Sequence, residues 1–124
     1  MTQEYLQENK AILSEKGLLA SNTFTTSALY DHESTTYASV FDPLLNFKRP
    51  ETNNRILLAP NEPINRAQIV SRAKKYGARM AKFNVPIVDY AQDILEALDG
   101  QPDWNTDARV LTDQYSPANL LNSR

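Results

Sequence analysis

Residues able to do acid–base or metal chemistry are sparse in this chain. His32 is the only histidine and sits in Asp31-His32-Glu33, so histidine-assisted hydrolysis or a histidine-based metal site would have to pass through it. A strand sends Asp31 and Glu33 to the face opposite His32, and in a helix the three diverge; either way they do not converge on one ion or one proton. Asp103, Asn105 and Asp107 begin like a calcium loop, with oxygen ligands at alternate positions. The sixth position is Ala108 and the twelfth is Gln114, so the turn glycine and the bidentate carboxylate are both missing. Asp89, Asp93 and Glu96 form a carboxylate stripe that reads as a solvated helix face. No cysteine is present, which excludes a disulfide framework, a zinc ribbon and a thiol nucleophile. Three glycines leave no room for a glycine-rich phosphate loop. The residues therefore predict no catalytic group, no metal ligand, no cofactor and no enzyme.

Charge is more informative than chemistry. Arg72, Lys75, Arg79 and Lys82 share one side of a helical wheel, and with Lys48, Arg49, Arg55, Arg66 and Lys74 they place nine cations in 48–83 against Glu51 and Glu62. Such a face could track phosphates or pair with acidic side chains of this chain or another. A helix-turn-helix built around Gly77 would put Arg72 inside and Pro86 within the recognition helix, which argues against that motif. The formal charge of −2 is thus a sum of opposed blocks: −4 over 1–47, +7 over 48–83 and −5 over 84–124.

The elements that would position these residues follow from periodicity. Over 2–17, Thr2 can cap a helix whose stripe is Tyr5, Leu6, Ile12 and Leu13, with Gly17 as its stop. The stretch 21–39 has nine Ser or Thr in nineteen positions and predicts an extended arm or edge strands, with a helix as the alternative. An apolar linker over 41–50 is bracketed by Pro43 and Pro50. From 55 to 100 the pattern is strand–helix–strand–helix. Ile56 to Ala59 form a buried strand, and an amphipathic helix with the basic face runs to Lys82. Asn84 ends that helix, and 85–88 is either a second, parallel strand or a joint. Asp89 with Gln92 opens a second helix that Gly100 closes. After Gly100 comes a tail in which Ser116-Pro117 starts one last helical turn around Leu120 and Leu121.

The expected fold is α/β: a compact core over 55–100, a helical N-terminus with a Ser/Thr-rich arm and linker over 1–54, and a C-terminal arm over 101–124, the alternative being mostly helical with long irregular segments. Two strands do not make a stable sheet, so further strands must come from the Ser/Thr-rich arm or from a partner chain. Phe24, Tyr30, Tyr37, Phe41, Phe47, Trp104 and Tyr115 are the expected arm anchors on neighbouring chains. The longest apolar run is 56–59, far short of the roughly 20 residues of a spanning helix. The acidic N-terminal decapeptide is no signal peptide, so the chain is expected to be soluble, without a membrane partner. By analogy with arm-rich, cysteine-free assembly subunits, the expectation is a non-catalytic, virion-type capsid, connector or tail component in the virion or host cytoplasm, with other protein chains as partners. A nucleic-acid- or peptide-binding module using 64–82 is the alternative. The deciding observation is whether the two arms fold back on their own chain.

Overall fold

A computed structural model describes residues 1–116. The chain divides into two units, one comprising Met1–Pro63 and the chain from Gln101 on, the other Ile64–Gly100. Four helices and a three-stranded antiparallel sheet lie among the described residues, so the expected mixed α/β class holds. Its internal arrangement differs from the expected one.

In the first unit, α1 (Gln3–Ile12) starts as its sequence predicts: Thr2 is extended and its hydroxyl accepts from the Tyr5 amide. The helix ends at Leu13, before Gly17; no glycine of the described chain has a positive φ. The next element is β1 (Leu18–Phe24), followed by α2 (Tyr30–Val40), β2 (Leu45–Arg49) and β3 (Asn54–Pro60). β3 is the central strand, antiparallel to both neighbours in the order β1-β3-β2. The left-handed turn residue between β2 and β3 is Asn53, with φ 56°, a conformation Asn tolerates. The Asp42-Pro43 peptide is cis. Leu6 of α1, Tyr37 and Phe41 at the end of α2, and Leu57 and Ala59 of β3 form the core, with Leu13, Leu19, Val40 and Leu44 around it. Burial pushes the Tyr37 hydroxyl pKa above its ordinary 10.0, against a hydrogen bond with Ser21 that lowers it.

The region expected as an arm is therefore part of this core. In α2 the hydroxyls that disfavour helix in isolation turn back onto the helix itself. Ser34 Oγ donates to the Tyr30 carbonyl at 2.6 Å, Thr36 Oγ1 to that of His32 at 2.5 Å, and Ser39 Oγ to that of Thr36 at 2.6 Å. The C-terminal segment also folds back. The Gln3 amide donates to the Leu111 carbonyl, the Leu111 amide to Thr36 Oγ1, and the Asp113 amide to a Glu4 carboxylate oxygen. Leu111 is buried. The final turn expected around Leu120 and Leu121 lies outside the described residues.

The second unit is a helical hairpin of α3 (Arg66–Ala81) and α4 (Ile87–Asp99). Asn65 caps α3 by accepting from the Gln68 amide. Asn84, at φ 59°, breaks the helix while the Val85 amide returns to the Met80 carbonyl. The strand proposed for 85–88 is absent: Pro86 sits at the start of α4, two residues into which Asp89 already lies. With it goes the parallel crossover, since β3 finds both its partners in the chain before it. Ala73 and Ala91 are the buried residues of the two helices. Close approach is possible at Gly77, where an added Cβ would lie 3.2 Å from Val88 Cγ2.

Candidate functional site

The buried polar side chains among the described residues, Ser34, Thr36 and Arg55, lie in the first unit, where the N-terminal turns of α2 face the inner row of the sheet. The strand register sets Thr23, Arg55 and Lys48 abreast on one rung, and Ser21, Leu57 and Asn46 on the next. Side chains directly opposite share a face, so this row turns toward α2 as a block. Tyr30, Glu33 and Ser34 meet it from the helix, and Asp103 meets it from the returning C-terminal segment.

Arg55 is fully buried. Its Nε donates to Thr23 Oγ1 at 2.7 Å, one terminal nitrogen to Ser34 Oγ at 2.6 Å and the other to Glu33 Oε2 at 3.3 Å. Its guanidinium carbon also lies 4.1 Å from the Tyr30 ring centroid. A cation this far from water is tolerable only when its donors are met, and each guanidinium nitrogen here has a partner.

Beside it, Tyr30 Oη donates to Asp103 Oδ1 at 2.9 Å and accepts from Asn46 Nδ2 at 3.0 Å. Lys48 Nζ pairs with Asp103 Oδ2 and lies 5.0 Å from the Tyr30 ring centroid. Asn46 Oδ1 is buried without a hydrogen-bond partner among the described residues. Partial burial raises the Asp103 pKa, but the bonds from Lys48 and Tyr30 and the charges of Lys48 and Arg55 outweigh it and hold the carboxyl below its ordinary 3.8. Lys48 is raised above its ordinary 10.5, chiefly by its bond to Asp103. The corner thus seats the Lys48 ammonium between a carboxylate and an aromatic face, each of its charges met from within the chain.

The residues singled out in the sequence fare unequally. Tyr37 and Phe41, expected to grip neighbouring chains, are buried in their own core, while Phe24 is exposed on the outer row of β1. Tyr30 belongs to the polar corner, and Phe47 and Trp104 are half-buried. Tyr115 lies under the Arg109 guanidinium, 3.7 Å from its ring centroid, with His32 edge-on at 6.3 Å. The triplet diverges on α2 as a helix requires. Asp31 accepts from the Asn105 amide, His32 Nδ1 donates to the Arg109 carbonyl, and Glu33 takes Arg55. Of the calcium-like set, Asn105 Oδ1 accepts from the Asp107 amide while Asp103 turns to Tyr30. Arg72, Lys75, Arg79 and Lys82 are all exposed on α3, and none forms an ion pair among the described residues. The sequence signal missed Tyr30 and Asp103 as partners because they stand 73 positions apart.

No family model matches the chain, and no solved structure matches it. It is similar to the polyamine aminopropyltransferase of Vibrio vulnificus (strain CMCP6), with 45% identity over 124 residues that take in 98% of this chain and 40% of that protein. The chain therefore spans less than half the length of the curated relative it matches. That relative is an enzyme. The finding overturns the expectation of a non-catalytic, virion-type subunit, its alternative of a small binding module, and the reading that no enzyme is involved. A virion location loses its support as well. No helix among the described residues is long and apolar enough to cross a membrane.

Proposed function

We propose that this chain acts in the transfer of an aminopropyl group to a polyamine, as the counterpart of the matching 40% of the Vibrio vulnificus protein. The observation that carries this reading is the 45% identity, which extends over both units rather than one motif. The test is replacement: this chain is substituted for the matching part of the Vibrio vulnificus enzyme, and the polyamine product enlarged by one aminopropyl unit is followed by mass spectrometry. The chimera is expected to transfer aminopropyl groups within about tenfold of the parent rate, a loss of roughly 1.4 kcal/mol in transition-state stabilisation. A folded chimera without transfer would remove the reading.

A further inference from the structure

The sheet has two outer edges, and the sequence protects only one. β2 is five residues long, ends in Lys48 and Arg49 and is followed by Pro50; a short strand, charge and proline are the devices by which natural edges resist pairing. β1 has none of them. Its seven residues, Leu18-Leu19-Ala20-Ser21-Asn22-Thr23-Phe24, carry no charge and no proline, and among the described residues they pair with β3 alone.

The outer face beside that edge is apolar. Leu18, Ala20, Asn22 and Phe24 form the exposed row of β1, with Leu18 52% and Phe24 63% exposed. The register places them opposite Pro60, Leu58, Ile56 and Asn54 of β3, and Ile56 in turn lies opposite Phe47 of β2. An uncharged edge bordering an apolar face is the arrangement of a strand that has a neighbour. The relative has the material to supply one, because 60% of its length is left over when 40% is matched by this chain.

We propose that the free edge of β1 is a docking site for a strand from a protein segment equivalent to that unmatched portion, which lengthens the sheet and covers Leu18 and Phe24. The proposal rests on the functional reading above for its choice of partner. β1 is preferred over β2 by its length and lack of charge, and backbone pairing supplies the affinity while the exposed apolar row supplies the register.

The test compares the intact chain alone with the same chain inside the Vibrio vulnificus chimera. In the isolated chain the outward-facing amides of 18–24 are expected to exchange with solvent rapidly; in the chimera their exchange slows by at least about tenfold. Leu18→Asp with Phe24→Asp is expected to leave the melting temperature of the isolated chain unchanged, since both side chains are exposed, and to lower that of the chimera by several degrees. Ile12→Asp, on an α1 side chain 83% exposed, is the control and is expected to be silent in both. Equal exchange in the two contexts, an equal effect of the double variant in both, or an Ile12→Asp effect as large as the double variant's would overturn the proposal. So would amides already protected in the isolated chain by self-association, which would make the occupant a second copy. An active chimera with an unprotected edge sinks this inference alone; a protected edge in an inactive chimera sinks the functional reading alone.

Discussion

Arg55 shows how one side chain ties a helix to a sheet. Its guanidinium reaches Thr23 on β1 and Ser34 and Glu33 on α2, three directions that only a planar fork can meet together. Removing it strands Glu33 and Ser34, so Arg55→Ala is expected to cost about 3–5 kcal/mol, the usual cost of breaking a buried pair from one side. Arg55→Lys is expected to recover little of that. Urea denaturation checks both, as a lower midpoint with an unchanged slope; a wild-type midpoint in either variant would contradict the assignment. The neighbouring Asp103–Lys48 pair sets a pH window. Asp103 has a folded pKa below its ordinary 3.8, so its stabilisation is present above that value and is lost as pH falls through the folded pKa. Lys48 has a folded pKa above 10.5, so its contribution is complete below 10.5 and is lost as pH rises through the folded pKa. Both side chains are partly exposed, at 44% and 39%, which keeps the effect modest. Attachment of the 101–111 segment, read by NMR chemical shifts of Asn105 and Leu111, is expected to be flat across neutral pH and to loosen below about pH 4. Lys48→Gln is expected to move the acid transition to higher pH.

Among the elements, α1 and α3 were legible in the sequence because each carries its own signal: Thr2 and a short stripe for the first, the apolar and basic sides of one wheel for the second. α2 was not. Its helix depends on Ser34 and Thr36 being buried and doubly used, Ser34 by Arg55 and Thr36 by the Leu111 amide, and those partners lie 21 and 75 residues away. Local propensity sees the hydroxyls and reads an arm. The segment 85–88 misleads for the opposite reason: Val and Ile suggest a strand, but Pro86 is placed to open a helix. The polar corner was invisible as a unit, and Asp103 read as the start of an ion loop until the C-terminal segment was seen to return. Within the hairpin, Gly77 offers an element-scale test. Alanine there gains helix propensity of roughly 1 kcal/mol, against a Cβ 3.2 Å from Val88 Cγ2. Val88 is 53% exposed and free to turn away, so Gly77→Ala is expected to raise the melting temperature and Gly77→Val to lower it. A lower melting temperature for Gly77→Ala would mean that Val88 cannot yield.

At the scale of the whole chain, the net charge of −2 is distributed by element. α3 and its cap carry cations only, from Arg66 to Lys82, and α4 carries anions only, Asp89, Asp93, Glu96 and Asp99. A single ion pair, Arg66 with Asp99, joins the two helices among the described residues. Among the described residues, the supposed arms fold back on the first unit's own core. What the first unit leaves open is instead the uncharged edge of β1. An edge unpaired among the described residues and a relative two-fifths matched by this chain are both accommodated by the account proposed above, in which the chain takes part in aminopropyl transfer. The most direct measurement of that account is the rate of aminopropyl transfer to a polyamine by the chimera, taken beside the same chimera carrying Arg55→Ala. The account predicts transfer within about tenfold of the parent enzyme and its loss on heating at a lower temperature in the Arg55→Ala form. A folded chimera that transfers no aminopropyl group would contradict it.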